Sequence, residues 1–353
     1  MFVRSFAAAA AALLGLTFVI PAGSTVAGAP SASSASSTSS VSSAASGAAV
    51  PAARSAAPPP AAGAPAAASG GPGPAAGQGG PRGRAVRVQD PYRLNAPVVL
   101  AHRGASAYAP ENTLEAIDYA ARLGIDWVEN DVQRTKDGVL VVIHDDTLAR
   151  TTNVESVFPG RSPWRVGDFT AAEIARLDAG SWFGAAYEGA RVPTLRQYLR
   201  EVGLNQQRLL LEIKKPELYP GIELDVLRVL DEEGWLDEHH VTHRLVVQSF
   251  SAASVRTVHR ERPDLTTGFL GTPRVSELRD YGAFTDRINP AYTTISKEWV
   301  AAVHAVPGAH GRRLTVDAWI VNDAATARRV RDQGVDGLIS NNPDVVRDAV
   351  GGY

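Results

Sequence analysis

The sequence contains no cysteine among its 353 residues. No disulfide bond can form, and no lipid can be attached through a cysteine. This absence does not argue against an extracellular location, because an oxidising compartment permits disulfides without requiring them.

An excess of positive charge is also missing. Charged residues make up 20 % of the chain, and the formal net charge is −2 at pH 7. A nucleic-acid-binding surface needs an excess of Lys and Arg to pair with phosphates. The composition therefore argues against nucleic acid as a partner, although a small anionic substrate needs only local positive charge.

Bulky apolar side chains are nearly absent from residues 30–90, which consist almost entirely of Ala, Ser, Pro and Gly. Such a segment cannot bury enough apolar surface to form a core. We predict a disordered linker that acts as a flexible tether. It would either thread a cell wall or hold the folded part of the chain away from a surface.

Residues 1–29 combine one early charge, Arg4, with an apolar run that ends near Ile20 and with small residues beyond it. This order is typical of a secretory signal peptide. The alternative is an uncleaved membrane anchor, because the run is near the lower length that spans a bilayer. We expect a secreted or cell-envelope protein, with no stable membrane insertion after cleavage.

Residues 91–353 have the length of one α/β barrel, and apolar β-branched runs alternate there with amphipathic stretches. About eight runs are strand candidates: 98–101, 126–132, 138–143, 208–213, 244–247, 266–270, 314–319 and 337–340. Helices between strands predict parallel strands with right-handed crossovers. The fold class is therefore α/β, with a TIM-like (β/α)8 barrel favoured over an open sheet.

Two further features refine this prediction. Gly104 is followed by Ala-Ser-Ala-Tyr, so the Gly-rich fingerprint of a dinucleotide-binding fold does not follow the first strand. Residues 146–193 break the alternation and are rich in Trp, Phe, Gly and Arg. We predict that they form a small inserted segment over one mouth of the barrel.

The most informative polar residues are Glu129 and Asp131, which lie two positions apart in an apolar strand. Residues i and i+2 of a strand project from one face, so both carboxylates share a buried surface. They repel each other and lose hydration there, which a divalent cation would compensate. A return strand then delivers His144 to the same region.

Other polar side chains follow the remaining strands. Barrel active sites are assembled at the C-terminal ends of the strands. The candidates at these ends are His102, Arg103, Glu212, Lys214, Gln248, Ser249, Trp319 and Asn341. Two acids, two histidines and an arginine in such positions predict metal-assisted phosphoryl chemistry.

The ordered motifs of the chain resemble the glycerophosphodiester phosphodiesterase family. They are His102-Arg-Gly, Pro110-Glu-Asn-Thr, Glu129-x-Asp, His144-Asp with Leu148-x-Arg-Thr-Thr, Leu211-Glu-Ile-Lys, Gln248-Ser-Phe and Gly334-Val-Asp-Gly-Leu-Ile-Ser. The resemblance covers nearly all of residues 91–350. It implies a TIM-like barrel with a small insertion, one bound divalent metal, and hydrolysis of glycerophosphodiesters to sn-glycerol 3-phosphate and an alcohol.

The resemblance also implies roles for individual residues. Glu129, Asp131 and Glu212 would be the metal ligands; the expected ion is Ca²⁺, with Mg²⁺ as the alternative, since both prefer oxygen. His102 and His144 would be the acid–base pair, because histidine exchanges a proton near neutral pH.

The remaining expected roles concern the substrate. Arg103 and Lys214 would hold the phosphate oxygens, although Arg103 could instead form a structural ion pair with Glu111 or Asp145. Glu111 would either touch the glycerol or cap the helix, as would its neighbour Asn112. Trp319 would line the glycerol pocket or serve only in packing.

The chain departs from the family pattern at two positions. Asn130 separates the two acids where an apolar or small residue is usual, and its side chain should point away from the barrel interior. Asn341 replaces the usual Asp before the last helix. An amide still accepts a hydrogen bond but supplies no charge.

Two other functions stay open at this point. A related barrel phospholipase of the sphingomyelinase D or lysophospholipase D kind would also use two histidines and a metal. A non-catalytic barrel that binds envelope glycerophosphates is the second alternative, and the presence of both histidines and all three acids argues against it. Glycerol phosphate polymers of the wall are a further candidate substrate.

Overall fold

A computed structural model of the chain describes residues 96–351. The predicted signal peptide at 1–29 and the predicted linker at 30–90 lie outside the described residues. Within the described range the strands are β1 Val98–Ala101, β2 Trp127–Arg134, β3 Leu140–Val142, β4 Arg208–Ile213, β5 Leu245–Ser249, β6 Thr267–Leu270, β7 Arg287–Asn289, β8 Thr315–Ala318 and β9 Gly337–Ser340.

Helices of different length separate these strands. They are α1 Leu114–Arg122, α2 Val154–Val157, α3 Ala171–Ile174, α4 Leu195–Leu204, α5 Ile222–Glu232, α6 Glu238–His243, α7 Ala252–Glu261, α8 Leu278–Gly282, α9 Lys297–His304, α10 Ala324–Arg331 and α11 Pro343–Val350. Within the described part of the chain, none of them combines the length and hydrophobicity needed to cross a bilayer.

Helix starts follow the capping chemistry of the sequence. Thr113 caps α1, Ser251 caps α7 and Asp323 caps α10, each accepting hydrogen bonds from backbone N–H groups of the first turn. Pro343 occupies the first turn of α11, where its missing N–H costs nothing.

Eight parallel strands close into a barrel in the order β1-β2-β4-β5-β6-β7-β8-β9, and β9 pairs with β1 to complete the circle. β3 stands outside this circle and pairs antiparallel with the far end of β2. The predicted TIM-like barrel is therefore confirmed, and residues 138–143 are the return strand rather than a member of the parallel set.

One of the eight barrel strands, β7, was not among the strands predicted from the sequence. It has three residues, and only Ile288 of them is apolar. Arg287 and Asn289 alternate with it and are both buried, so β7 lacks the apolar run that marks the other strands.

The lower part of the barrel interior holds an apolar cluster, which lies beside the buried ion pair of Arg287 and Asp317. Side chains from five strands meet there: Leu100, Trp127, Leu210, Val246 and Ile339. Strand alternation then places the residues two positions further on above this layer, on the same inner face. The sequence thus directs the polar residues that follow these side chains toward the C-terminal mouth.

Residues 146–193 form short helices and turns beside β3, with a hydrophobic cluster of their own. The cluster includes Leu148, Phe169 and Leu177, all fully buried, and it joins Val141 and Ile143. Residues next to His144 are therefore anchored by packing on one side and by the barrel on the other.

Candidate active site

Three carboxylates meet at the C-terminal mouth of the barrel. Glu129 and Asp131 lie on the inner face of β2, and Asp131 is the cross-strand neighbour of Glu212 on β4. Each offers an oxygen within 4.8 Å of the others. All three residues are at most 5 % exposed, so water does little to separate their charges.

The proton affinities of the trio reflect this crowding. Burial and then the neighbouring carboxylates raise the pKa of Glu129 well above its usual range, and they raise the pKa of Glu212 to about 8. Burial opposes ionisation of Asp131 as well, but Arg103 and Lys214 outweigh it and lower its pKa to about 2. Two of the three acids are thus poorly compensated by the side chains around them.

The donor set fits a hard divalent cation. Asp131 Oδ1 is buried and accepts no hydrogen bond from the described residues. Lys214 Nζ lies 2.8 Å from Glu212 Oε1 and 3.5 Å from Asp131 Oδ1. Its single positive charge offsets part of the negative charge of the three carboxylates. Buried carboxylate oxygens that face one another are the kind of ligand that Ca²⁺ and Mg²⁺ prefer.

Asn112 holds the central acid in place. Its Nδ2 donates to Asp131 Oδ2 at 2.8 Å, and its Oδ1 accepts from the backbone N–H of Asp131 at 3.3 Å. Asn112 reaches this position with a left-handed backbone, φ 62°. Its side chain is thus engaged by a candidate ligand, while Thr113 caps the helix.

His102 follows β1 and is almost fully buried. Its Nδ1 lies 2.6 Å from Asn341 Oδ1, and its Nε2 lies 3.9 Å from Glu129 Oε2. Burial, helped by the nearby charge of Arg103, lowers the pKa of His102 to about 4. Asn341 thus supplies the acceptor expected of an amide, without a charge to favour the imidazolium.

His144 follows β3, and its side chain is 31 % exposed. Its Nδ1 lies 2.7 Å from Asp145 Oδ1. Burial lowers the pKa of His144 as well, although Asp131 and Asp145 oppose the shift. In both histidines a side-chain oxygen engages Nδ1, so Nε2 is the ring nitrogen available to a further partner.

Arg103 connects several of these acids. Its backbone N–H donates to Glu129 Oε2 at 2.9 Å, its Nη1 donates to Glu111 Oε1 at 2.9 Å, and its Nε lies 3.1 Å from Asp131 Oδ2. The ion pair with Glu111 that the sequence left as an alternative is therefore present. Glu111 also bonds Arg150, so both of its oxygens are occupied by guanidinium groups.

A pocket open to solvent lies at this mouth, with about 370 Å³ of empty space including solvent, and Glu129 and Glu212 line it. Lys214 and the two histidines are among its polar lining residues, and Phe250 and Trp319 are among its apolar ones. The two aromatic rings meet edge to face, with centroids 5.7 Å apart. Trp319 also donates from Nε1 to Asn289 O at 2.8 Å, which fixes the ring at the pocket wall.

The structure brings the residues with expected roles to this mouth, whereas the candidate Ser249 donates from Oγ to Ile213 O at 2.9 Å and does not line the pocket. His102, Arg103, Glu129, His144, Glu212, Lys214 and Trp319 line the pocket. Asp131 and Glu111 contact those lining residues from behind. Phe250 was missed as a site residue, although its position two residues after Gln248 on an inner face was the signal for it.

Buried acids suited to a divalent cation, paired imidazoles and two cations at a barrel mouth define a barrel phosphodiesterase. Residues 102–345 match the model of the glycerophosphoryl diester phosphodiesterase family. The chain belongs to this family, whose reaction is the hydrolysis of glycerophosphodiesters.

Individual relatives agree with this assignment. A glycerophosphodiester phosphodiesterase of Bacillus subtilis is 34 % identical over 270 residues, covering 72 % of this chain and 87 % of its own. One from Caldanaerobacter subterraneus is 35 % identical over 256 residues, covering 72 % and 97 %.

A solved structure is also similar. A phosphodiesterase of Oleispira antarctica, in complex with its product sn-glycerol-3-phosphate, is 28 % identical with a TM-score of 0.62. The match covers 72 % of this chain and 97 % of that one.

Proposed function

We propose that this chain is an exported, divalent-cation-dependent enzyme that cleaves glycerophosphodiesters to sn-glycerol 3-phosphate and an alcohol, with His102 and His144 as its acid–base pair. The observation that carries the proposal is the buried trio, whose oxygens lie within 4.8 Å of one another beside both imidazoles; among them Asp131 Oδ1 accepts no hydrogen bond from the described residues.

Glu129, Asp131 and Glu212 would hold the cation. When bound, it would supply positive charge to the phosphoryl oxygens and so favour attack at phosphorus. Three carboxylates tolerate the large and adaptable coordination shell of Ca²⁺, and an exported protein meets abundant calcium. We therefore propose Ca²⁺ as the resident ion, with Mg²⁺ as the alternative.

Arg103 and Lys214 would bind the phosphate of the substrate. Both side chains are mostly buried and reach the mouth between the acids. A guanidinium group can donate two parallel hydrogen bonds, whereas an ammonium group acts as a point charge. Both stabilise the negative charge that grows on the phosphoryl oxygens during the reaction.

The two histidines would divide the proton transfers. One Nε2 would take the proton from the attacking hydroxyl, and the other would give a proton to the departing alcohol oxygen. The attacking hydroxyl would be either the substrate's own glycerol hydroxyl, which gives a cyclic phosphate, or water. Engagement of each Nδ1 by Asn341 or Asp145 fixes the ring that makes this transfer.

Trp319 would form the wall against which the glycerol carbons pack, with Phe250 beside it. Glu111 is engaged by Arg103 and Arg150, which supports an action on the substrate through Arg103.

Release of glycerol 3-phosphate from several diesters tests the proposal most directly. Purified protein would be assayed on glycerophosphocholine beside sphingomyelin and lysophospholipid, before and after chelation, with Ca²⁺ or Mg²⁺ added back. We expect release from glycerophosphodiesters, loss after chelation and recovery with Ca²⁺. Cleavage of sphingomyelin alone would identify a phospholipase D-type enzyme, and inactivity on every diester would identify a binding module.

Export is supported only by the apolar segment at 1–29 and the linker at 30–90. Fractionation of cells that produce the full chain tests it, since the protein should accumulate in the medium or the envelope. Retention in the cytoplasm would contradict it.

A further inference from the structure

Arg150 makes an unusually connected set of contacts for a side chain that is 45 % exposed. It donates from Nε to Asp145 Oδ2 at 2.7 Å and from Nη2 to Asp145 Oδ1 at 3.0 Å. It also donates from Nη1 and Nη2 to the two oxygens of Glu111, at 2.8 and 2.7 Å. One guanidinium group thus bridges two carboxylates through four hydrogen bonds.

Each of these carboxylates contacts a residue of the candidate site. Asp145 Oδ1 lies 2.7 Å from His144 Nδ1, and Glu111 Oε1 accepts from Arg103 Nη1 at 2.9 Å. The contacts therefore run without interruption from the His144 imidazole through Arg150 to the Arg103 guanidinium. They join two side chains that neither helix nor strand geometry holds at a fixed separation.

Asp145 provides the hydrogen bond that orients the His144 ring. Among the described residues, no other side chain bonds that ring, and His144 lies beyond the end of β3. Hydrogen bonds from Arg150 hold the pKa of Asp145 below its usual range, so the carboxylate stays charged. Without Arg150, the partly exposed Asp145 side chain would be free to rotate toward solvent.

An isolated ion pair at this exposure contributes only about 0–1 kcal/mol to stability. The value of Arg150 to the fold is therefore small, and packing of residues 146–193 around Leu148 and Phe169 anchors the segment without it. Arg150 matters more for the orientation of Asp145 and Glu111, because bidentate hydrogen bonds fix both the distance and the angle between the groups.

We propose that Arg150 is a positioning residue for the reaction: by clamping Asp145 and Glu111 together, it sets the His144 ring and the Arg103 guanidinium at the separation that phosphoryl transfer requires. This inference rests on the proposed function of His144 and Arg103. Arg150 itself lies behind both side chains and acts through them.

The test compares Arg150→Ala and Arg150→Lys with the wild type in the glycerophosphocholine assay. Removing a residue that orients a metal-ligating side chain typically costs about 10–100-fold in activity, and we take the same range for a residue that orients His144 and Arg103. We expect kcat to fall by about that factor in Arg150→Ala, with a smaller change in KM. Arg150→Lys should fall nearly as far, because an ammonium group cannot span two carboxylates bidentately.

Two readouts separate positioning from a structural role. Added guanidinium ion should restore part of the kcat of Arg150→Ala at concentrations that leave its melting temperature unchanged. A cycle with Asp145→Asn should be strongly non-additive, because the two changes break one path. Asp146→Asn is the matched control, since it removes a neighbouring exposed ion pair with Lys215, 3.0 Å in length, and should leave kcat unchanged.

The inference is contradicted if Arg150→Lys keeps wild-type kcat, if guanidinium restores nothing to a folded Arg150→Ala, or if the cycle is additive. If Arg150→Ala does not fold, the inference is contradicted as well, because it assigns Arg150 little contribution to stability. An inactive wild type in the same assay would instead contradict the proposed function, so the two failures are distinguishable.

Discussion

Two groups of buried charge lie inside the barrel, and they differ in how completely their charges are balanced. In the lower group Arg287 of β7 donates from Nη1 to Asp317 Oδ2 of β8 at 2.8 Å. In the upper group Glu129, Asp131 and Glu212 meet, and within the described part of the chain Arg103 and Lys214 are the Lys and Arg side chains that pair with them.

The lower group is enclosed by its surroundings. The guanidinium of Arg287 lies 5.4 Å from the Trp127 ring, and a Cβ at Gly337 would come within 2.3 Å of Asp317 Oδ1. Glycine is therefore required beside this carboxylate. One cation faces one carboxylate there, so the pair carries no net charge. Asp317 Oδ1 is also buried without a hydrogen bond from the described residues, so the number of charges is what separates the two groups.

The upper group has more acids than cations, and its carboxylate oxygens point at one another. Proteins keep such an arrangement where a further positive charge binds. The difference teaches that a surplus of acids, rather than buried charge as such, marks a group that could bind a metal ion.

The largest expected effect comes from the histidines of the upper group. Replacing His102 or His144 by Ala should lower kcat about 10²–10⁴-fold, because one proton transfer loses its catalyst. Steady-state kinetics measure this, and melting temperature checks the fold. His239→Ala, on the exposed face of α6, is the matched control and should keep full activity. Near-normal kcat in both active-site variants would defeat the assignment.

Glu212→Gln should separate function from stability. Loss of one cation ligand should lower the activity about 10²-fold or more, since the metal contribution is several kcal/mol. In chelator the free energy of unfolding should stay equal or rise, because burial opposes ionisation of the Glu212 carboxyl and the amide of Gln cannot ionise. Glu217→Gln, exposed after β4, is the control for both measurements. A large loss of stability in metal-free Glu212→Gln would show that the trio is structural.

Asp317→Asn should show the opposite behaviour. Arg287 would lose its buried carboxylate partner, which typically costs about 3–5 kcal/mol in free energy of unfolding. Activity per folded molecule should change little, because the pair lies below the site. Denaturant unfolding and kcat of the same preparation test this, and a strong loss of kcat at unchanged stability would refute it.

Asp336 is a further buried acid, and its partners make its contribution to stability depend on pH. It accepts from Val316 N at 2.8 Å and pairs with Arg313 at 2.5 Å and His304 at 2.8 Å. Although burial opposes it, these partners lower the pKa of Asp336 below 3.8. A lowered pKa contributes stability that is present above the unfolded value and lost as the pH falls through the folded value.

The excess stability of the wild type over Asp336→Asn should therefore be constant near neutrality and shrink on acidification below about pH 4. Denaturant unfolding at a series of pH values measures it. A difference that does not change with pH would mean that the charge of Asp336 contributes nothing.

Much of the site was predictable because strand alternation converts spacing into position. Glu129 and Asp131 share an inner face by their spacing of two, and the parallel register brings Glu212 beside them. β7 was not predictable, since inward-facing Arg287 and Asn289 leave it a single apolar residue. A strand that carries buried charge lacks the hydrophobic pattern by which strands are recognised.

Contacts between loops that are distant in the chain could not be predicted from the sequence either. Arg150 and Glu111 are 39 positions apart, and nothing in their local patterns indicates that they meet. Asn112 could be placed near the helix start, but its hydrogen bonds to Asp131 depend on a left-handed backbone conformation that the sequence does not predict. The roles of such residues can be recognised only from the folded structure.

The most direct test of the central claim is a titration of Ca²⁺ into chelator-stripped protein, followed by both unfolding free energy and glycerol 3-phosphate release. If the trio binds the cation, both should rise together, with about 2.7 kcal/mol of added stability at 100 times Kd, and Glu212→Gln should weaken both responses. Full activity in the stripped protein, with no stabilisation by Ca²⁺ or Mg²⁺, would contradict the account.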